Sequence, residues 1–236
     1  MSQRIQKIIG QSGICSRRKA EQLILQKRVF INQNQATIGD KADINMDSIR
    51  IDDYVIPKRL NNKVILLNKP PGIICSCNDD LGRKTVMDLI PRELKEGMYP
   101  VGRLDMYSRG ALLITNNGYL TYQLTHPKYL HKKTYRVLVK GSFSKESLKA
   151  WQRGIIINGK EPKEAIVIIK KQFEEMNLLE IVIREGRNRQ IRKIADALGL
   201  KVIDLMRTKV SKIELNGLQE GSWRELNSIE WQSLLK

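Results

Sequence analysis

The sequence predicts an α+β protein with two domains, and three observations lead to this prediction. Apolar residues near the N-terminus recur at helical spacing and precede two short strand-like segments, which is typical of a helix–loop–helix plus hairpin module in residues 1–60. Strand-like and helical segments in residues 61–236 follow in mixed order without βαβ regularity, which favours a largely antiparallel mixed sheet. A length of 236 residues suits one small and one larger domain.

The charge balance predicts a polyanionic partner. The chain has 42 Lys and Arg against 25 Asp and Glu, a net charge of +17. Such an excess most often binds nucleic acid, with an anionic membrane surface as the alternative. No apolar run could span a bilayer, the N-terminus lacks a signal-peptide core, and an odd number of cysteines favours a reducing compartment. These features favour a cytoplasmic protein without a membrane partner. We also expect a bacterial-type protein, with an organelle as the alternative, and a monomer.

The N-terminal module is predicted to contain two helices and a hairpin. Ser2 is a candidate cap for a first helix that carries apolar residues at helical spacing and stops at Gly13. Ser16 is a candidate cap for the second helix. Residues 29–31 and 36–38 alternate as short strands around a polar turn, so we expect them to pair.

A cluster of cations opens the second helix. Arg17, Arg18 and Lys19 occupy its predicted first turn, where each positive charge opposes the helix dipole at a cost of roughly 0.3–1 kcal/mol. A local rule broken at consecutive positions indicates a function, and phosphate binding is the natural one. The alternative is a solvated charged face without a partner.

The larger domain is predicted to begin after a polar linker or edge at residues 52–62. A strand at residues 63–68 ends at the rigid Lys-Pro-Pro-Gly turn, and Cys75 and Cys77 read as small side chains on one face of a strand. Further strands are predicted at residues 111–115, 134–139, 165–170 and 178–184, and a helix at residues 189–198 that stops at Gly199.

Asp105 is the carboxylate that the sequence presents most conspicuously. It lies in a loop beside Arg103, directly before the strand at residues 111–115. A loop anchored by a buried strand is a common way to present a reactive group. Taken alone, however, an Asp in a loop more often caps a turn, because its side chain accepts hydrogen bonds from nearby backbone N–H groups.

Residues 101–118, VGRLDMYSRGALLITNNG, resemble the active-site motif of pseudouridine synthases, in the branch that modifies ribosomal RNA. Four other segments resemble motifs of the same branch, and the N-terminal module resembles an RNA-binding domain first known from a small-subunit ribosomal protein. These segments are residues 67–72, 82–91, 133–137 and 185–193, and residues 82–91 favour the large-subunit group. Ser108 stands where the family usually has Thr and keeps the hydroxyl.

The resemblance implies three catalytic residues. Asp105 would be the nucleophile, attacking either the sugar or the base of a uridine that has left the helical stack. Arg192 would pair with Asp105. Tyr135 would stack on the target base, and its hydroxyl is a candidate base for the proton on carbon five; the alternative is an ordinary strand Tyr with a buried ring and a solvated hydroxyl.

The remaining candidate site residues are cations that would bind RNA. Arg103 would contact RNA near the flipped base. On the predicted helix, Arg192 borders the core stripe, whereas Arg189 and Lys193 lie further from it and read as more exposed. For Arg187, Arg189 and Lys193, phosphate contact and a plain solvated surface are equally good interpretations. The complete set is Arg17, Arg18, Lys19, Arg103, Lys133, Arg187, Arg189 and Lys193.

The predicted function is the isomerisation of one uridine of ribosomal RNA, and we expect neither a cofactor nor a metal. The reaction needs no redox or phosphate energy, and the chain has no phosphate-binding loop or dinucleotide fingerprint. Cys75 and Cys77 have too few further ligand residues nearby for zinc. The alternative is a non-catalytic ribosome-assembly protein of the same fold. Loss of Asp105, Tyr135 or Arg192 would indicate such a protein, and all three residues are present. A second alternative, an RNA methyltransferase, would need a nucleotide-cofactor loop, and the sequence contains no such motif.

Overall fold

The computed structural model describes residues 2–57, 62–156, 159 and 163–235. The described part mixes helices with a large sheet, so the α+β prediction is confirmed. Buried apolar residues between Ile5 and Ile56 pack together in a core of their own at the N-terminus. None of the helices in the described ranges has the length and apolar character needed to cross a membrane.

The N-terminal module consists of short elements around that core. The elements are β1 (Gln3–Arg4), α1 (Ile5–Gln11), α2 (Arg17–Leu25), β2 (Val29–Ile31), β3 (Asn34–Gln35), β4 (Lys41–Ala42), β5 (Ile49–Ile51) and β6 (Tyr54–Val55). Within residues 2–57, one sheet has the strand order β3-β2-β5-β6, and β1 pairs with β4.

The helix caps of this module agree only in part with the prediction. Ser16 caps α2, because its hydroxyl accepts a hydrogen bond from the Lys19 backbone N–H at 3.2 Å. The prediction that Ser2 caps the first helix is wrong. Arg4 precedes the helix without a side-chain cap, since Gln3 and Arg4 pair with β4 instead.

Two turns also differ from the prediction. The hairpin partner of β2 is Asn34–Gln35 rather than residues 36–38, because Asn32 adopts a left-handed conformation that closes a tighter turn. The supposed linker at residues 52–57 belongs to the β5–β6 hairpin, where Arg28 Nε binds Asp52 Oδ1 at 2.9 Å. The rest of the predicted linker at residues 58–61 lies outside the described residues.

The larger domain is built on one mixed sheet. The strands are β7 (Val64–Lys69), β8 (Tyr99–Pro100), β9 (Arg109–Thr115), β10 (Lys133–Lys140), β11 (Ile166–Gln172), β12 (Met176–Ile183), β13 (Lys201–Val210), β14 (Ile213–Glu214) and β15 (Trp223–Glu225). Within residues 62–156 and 163–235 the strand order is β11-β12-β10-β13-β9-β7-β15, with β14 paired to β13 and β8 paired to β9. The predicted strands at 63–68, 111–115, 134–139, 165–170 and 178–184 correspond to β7, β9, β10, β11 and β12.

Helices cover this sheet and connect its strands. They are α3 (Gly118–Thr125), α4 (Lys145–Arg153), α5 (Gln190–Ala197) and α6 (Ser228–Gln232). The predicted helix at 189–198 corresponds to α5, with Arg189 at its N-cap in a left-handed conformation. The strand predicted for Cys75 and Cys77 is wrong: after the Pro-Pro-Gly turn this segment is a loop with one isolated bridge at Ile74, so Cys75 is buried and Cys77 is exposed.

Strand β13 joins the two halves of the sheet. It pairs antiparallel with β10 on one side and parallel with β9 on the other, where Gly110 faces Arg207. Gly110 has φ +106°, and a Cβ built there would lie 2.2 Å from the Arg207 carbonyl oxygen. Only glycine therefore permits this approach of the two backbones.

Replacing Gly110 should destabilise the larger domain at this junction. We expect Gly110→Ala to lower the free energy of unfolding by about 2 kcal/mol or more, because the energetic cost of a left-handed alanine adds to that of the clash with the Arg207 backbone. Chemical denaturation measures this loss. Gly199→Ala is the matched control, because Gly199 also has a positive φ but no atom lies within 4 Å of the position that a Cβ would take there. Equal losses in both variants would contradict the clash.

Candidate active site

A cavity of about 940 Å³ opens beside the junction of β9, β10 and β13. Its wall combines the loop before β9, the segment between α3 and β10, the end of β12 and the loop before α5. Asp105 and Tyr135 both line it, so residues far apart in sequence meet at one cavity. Leu104, Ile183 and Leu205 give it apolar wall segments.

The loop before β9 closes around the Asp105 carboxylate. Oδ1 accepts hydrogen bonds from the backbone N–H groups of Tyr107 at 3.0 Å and Ser108 at 2.8 Å. Oδ2 accepts one from the Ser108 hydroxyl at 2.8 Å. The capping role that an isolated loop Asp would have is therefore present, and it fixes the orientation of the carboxylate.

Arg192 reaches the same carboxylate from α5. Its Nε lies 3.3 Å from Asp105 Oδ2, and its Nη2 lies 3.3 Å from the Ser108 hydroxyl oxygen. Ile191, Ile194 and Ala195 are buried and anchor the helix on the sheet. Arg192 is not among the described residues that line the cavity, so it supports the carboxylate from behind and leaves the cavity side open.

These contacts set the charge state of Asp105. Burial is the largest single influence and would raise the pKa, but the Ser108 hydroxyl, the Arg192 charge and the Ser108 N–H together lower it. The net result is a pKa below the ordinary Asp value. Asp105 is therefore a carboxylate at neutral pH, as a nucleophile must be.

Lys69 supports the Asp105 loop from below and was missed as a site residue. Its side chain is fully buried at the end of β7, and Nζ donates to the backbone carbonyls of Pro70 at 2.9 Å and Ser108 at 2.9 Å. A weaker contact reaches the Met106 carbonyl at 3.3 Å. Burial lowers the pKa of Lys69 to about 8 against the attraction of nearby anions that include Asp105.

Tyr135 lies in β10 between Ile181 of β12 and Arg207 of β13, and the residue is 7% exposed. The ring belongs to the apolar cluster that also contains Leu104 and Leu205. Within the described residues its hydroxyl has no hydrogen-bond partner. The ring thus has the buried environment of an ordinary strand Tyr, but it faces a cavity rather than a filled core.

Predicted RNA-binding cations lie around the cavity. Arg103, Arg187 and Arg189 line it and are exposed, and Arg187 Nε also binds Glu185 at 3.1 Å. Lys133 lines it too, and its burial, together with the charge of Arg207, lowers the pKa of Lys133 to about 8.

Other predicted cations lie away from the cavity wall. Arg17, Arg18 and Lys19 are exposed in the first turn of α2. Lys193 is not among the described cavity residues, and it is partly buried rather than exposed. It is one helical turn from the buried Gln190, so it borders the packed face of α5.

Gln190 and Glu185 fix the loop before α5, and the sequence did not single out either for this role. Gln190 is buried, and its amide donates to Glu185 Oε1 at 2.6 Å while its carbonyl oxygen accepts from the Arg187 N–H at 3.3 Å. A buried polar pair of this kind is difficult to recognise in one sequence, because both residue types are common on surfaces. The pair holds Arg187 and Arg189 at the cavity.

Comparison with known proteins gives consistent matches along the chain. The model of the RNA pseudouridylate synthase family matches residues 63–197, and that of the S4 domain matches residues 3–47. The chain is 38% identical to the ribosomal large subunit pseudouridine synthase B of Bacillus subtilis, over 98% of this chain and 95% of the relative. It is 34% identical to the dual-specificity RNA pseudouridine synthase RluF of Escherichia coli, over 100% and 79% respectively. A crystal structure of a pseudouridylate synthase superimposes with a TM-score of 0.71 at 28% identity, over 98% and 99%.

Removing the Ser108 hydroxyl should raise the pKa of Asp105. Among the groups that lower this pKa, Ser108 acts most strongly, so Ser108→Ala should shift the carboxylate titration to higher pH. NMR titration of labelled Asp carboxylates measures the pKa of Asp105.

The lowered pKa also links Asp105 to the stability of the fold. Above about pH 3.9, the pKa of Asp in the unfolded chain, ionised Asp105 stabilises the folded state. This stabilisation is lost as the pH falls through the pKa of Asp105 in the folded state.

The matched control is Ser12→Ala, which removes another buried hydroxyl, one that donates to the Ile9 carbonyl in the N-terminal module. It should leave the titration of Asp105 unchanged. An unshifted Asp105 in the Ser108 variant would show that the hydroxyl does not set its charge state.

Proposed function

This chain belongs to the RNA pseudouridylate synthase family, and we propose that it isomerises one specific uridine of large-subunit ribosomal RNA. The family resemblance seen in the motifs is confirmed, and so is the assignment as an RNA pseudouridine synthase. The ribosomal substrate is supported by the relatives named above, which match this chain along its whole length. Such a substrate would be met in the cytoplasm of a bacterial-type cell.

One observation carries the chemical proposal: an ionised carboxylate is fixed at the wall of a cavity. Asp105 is oriented by Ser108, supported by Arg192 from behind, and exposed on the cavity side. A carboxylate in this setting acts as a nucleophile on a bound uridine. Arg192 positions it and keeps it charged, because a cation within hydrogen-bond distance favours the ionised form.

Asp105 bonds transiently to C1′ of the ribose or to the base. The bond between N1 of uracil and C1′ breaks, uracil turns, C5 forms a new bond to C1′, and the bond to Asp105 breaks again, which restores the carboxylate. The proton on C5 leaves to a base, and N1 gains a proton. The cavity must therefore hold an extruded uridine, and its apolar walls at Leu104, Ile183 and Leu205 suit the faces of a pyrimidine ring.

Tyr135 is assigned the contact with the base. Its ring supplies stacking area on the cavity wall, and its hydroxyl, which has no partner among the described residues, is available for the C5 proton. Arg103, Lys133, Arg187 and Arg189 at the cavity would hold phosphates around the extruded nucleotide.

The N-terminal module would bind RNA at a second place. Its exposed Arg17, Arg18 and Lys19 lie in the first turn of α2, where backbone N–H groups and side-chain cations together attract phosphate. Lys193 would add positive charge on α5 outside the cavity. Together with the cations at the cavity, these residues make up the set of RNA-binding cations that the sequence predicts.

Mapping of pseudouridine in ribosomal RNA tests the reaction and separates it from a role in assembly alone. We expect one large-subunit position to lose its pseudouridine in cells that lack the protein, and the wild-type chain to restore it. Asp105→Asn should not restore it, because the amide keeps the shape but is no nucleophile. Asp196→Asn, an exposed carboxylate on α5, is the control and should restore it. Restoration by the Asp105 variant would remove Asp105 from the mechanism.

Tyr135→Phe separates stacking from proton transfer. The variant keeps the ring and removes the hydroxyl, so RNA affinity should stay near wild type while the single-turnover rate falls by roughly 10²-fold or more, the usual scale for a lost general base. Tyr135→Leu should weaken both. Tyr54→Phe, at an exposed ring of the N-terminal module, is the control. A Tyr135→Phe enzyme that turns over at the wild-type rate would leave Tyr135 with stacking alone.

A further inference from the structure

An array of aromatic rings leads away from the cavity wall. The ring centroids of Tyr122 and His126 are 4.8 Å apart, those of Tyr122 and Tyr129 are 5.7 Å apart, and those of Tyr129 and His131 are 6.4 Å apart. These residues come from the end of α3 and the turn before β10. We call Tyr122, His126, Tyr129 and His131 the ring array.

The ring array is continuous with the active-site cavity. His126 and His131 line the cavity, whereas Tyr122 is 44% exposed on the outer face of α3. Leu120 and Leu124 occupy the opposite, buried face of the same helix. The apolar side of α3 is thus already packed on the domain, and the aromatic side is left facing solvent at the cavity entrance.

The charge around the ring array is positive. Lys128 places its Nζ 4.6 Å from the centre of the Tyr129 ring and 5.5 Å from that of Tyr122. No Asp or Glu occurs between residues 106 and 145, while this stretch contributes Lys132 and Lys133 immediately after the array. Aromatic faces combined with cations and without carboxylates are the composition of surfaces that bind single-stranded nucleic acid.

The turn itself holds the rings in place. Leu130 adopts a left-handed conformation, the His126 side chain accepts a hydrogen bond from the Lys128 N–H at 3.3 Å, and His131 contacts the Ser211 hydroxyl at 3.4 Å. Burial lowers the pKa of His131, with a further contribution from Lys133. A neutral, fixed imidazole and two tyrosine rings form a preorganised stacking surface.

We propose that the ring array is a stacking platform for unpaired nucleotides of the substrate RNA that flank the extruded uridine. The proposal rests on the proposed function, because it takes the cavity as the place of that uridine. Nucleotides beside an extruded base lose a stacking neighbour, and an aromatic ring at the cavity entrance replaces that neighbour. Duplex RNA keeps its bases stacked and offers the array no free face.

The test compares two RNA probes on the full chain. We expect Tyr122→Leu/Tyr129→Leu to bind a short single-stranded RNA roughly 5- to 100-fold more weakly, the usual loss for removed base–aromatic stacking, and duplex RNA with unchanged affinity. The salt dependence of single-stranded binding should keep its slope. Lys128→Met should instead reduce the log–log slope by about 0.7, because it removes a phosphate contact.

Two controls separate stacking from structural damage. Tyr122→Phe/Tyr129→Phe keeps the rings and should bind like wild type. Phe173→Leu removes an exposed ring after β11, next to the end of β12 that lies away from the cavity, and should also bind like wild type. Thermal denaturation confirms that each variant is folded.

The outcomes divide clearly. A loss limited to single-stranded RNA and rescued by Phe supports the platform, even if the wild-type chain forms no pseudouridine, which would overturn the proposed reaction alone. Unchanged single-stranded binding, an equal loss for duplex RNA, or a loss in the Phe variant overturns the platform. Recovery of a protein partner that needs the rings, with RNA binding unchanged, also overturns it.

Discussion

The close approach of Gly110 to Arg207 is the constraint on which the rest of the larger domain depends. It permits β9 and β13 to pair in parallel, and Arg207 reinforces the junction by donating from Nε to the Ala111 carbonyl at 2.6 Å. Asp105 lies in the loop that leads into β9, and Tyr135 lies opposite Arg207 on β10. The junction therefore fixes how far the carboxylate stands from the aromatic ring.

Different groups surround Asp105 on its different sides. Arg192 supplies positive charge from behind, Lys69 holds the carbonyl groups of the loop from below, and the cavity remains open in front. A buried ammonium bound to carbonyl oxygens fixes backbone rather than neutralising one anion. The carboxylate is thereby held rigid by its support while one side stays open to the cavity, as the proposed preorganised site would require.

Much of this site could be predicted from the sequence, and the failures have physical reasons. Asp105, Tyr135 and Arg192 were predicted as site residues from their motifs, and the structure brings Arg192 to Asp105 and places Asp105 and Tyr135 at one cavity. The helical stripe also placed Arg192 beside the core. Lys69 was treated as part of a turn, because nothing local distinguishes a buried lysine from a surface one when its partners are backbone carbonyls distant in sequence. Long-range contacts of this kind leave no pattern in the residues themselves.

The prediction of secondary structure failed where charged residues or distant strand partners overrode the local sequence pattern. Strand β13 went unpredicted, because Asp204, Arg207 and Lys209 interrupt its alternation, and their partners lie on other strands or loops: Asp204 binds Arg109 at 2.8 Å. The first-helix cap failed because Gln3 and Arg4 pair with a strand that no local pattern indicates. In each case tertiary pairing outweighed local preference.

The central place of β13 also determines when the site comes into being during synthesis. The strands that precede it in the chain fall into two groups, β10 to β12 on one side and β7 to β9 on the other, and β13 lies between them. Arg192 is 87 residues beyond its partner Asp105. A growing chain can fold each group as it emerges, but the groups have no common sheet until residues 201–210 have left the ribosome. Assembly of the candidate active site is therefore a late event in the synthesis of the protein.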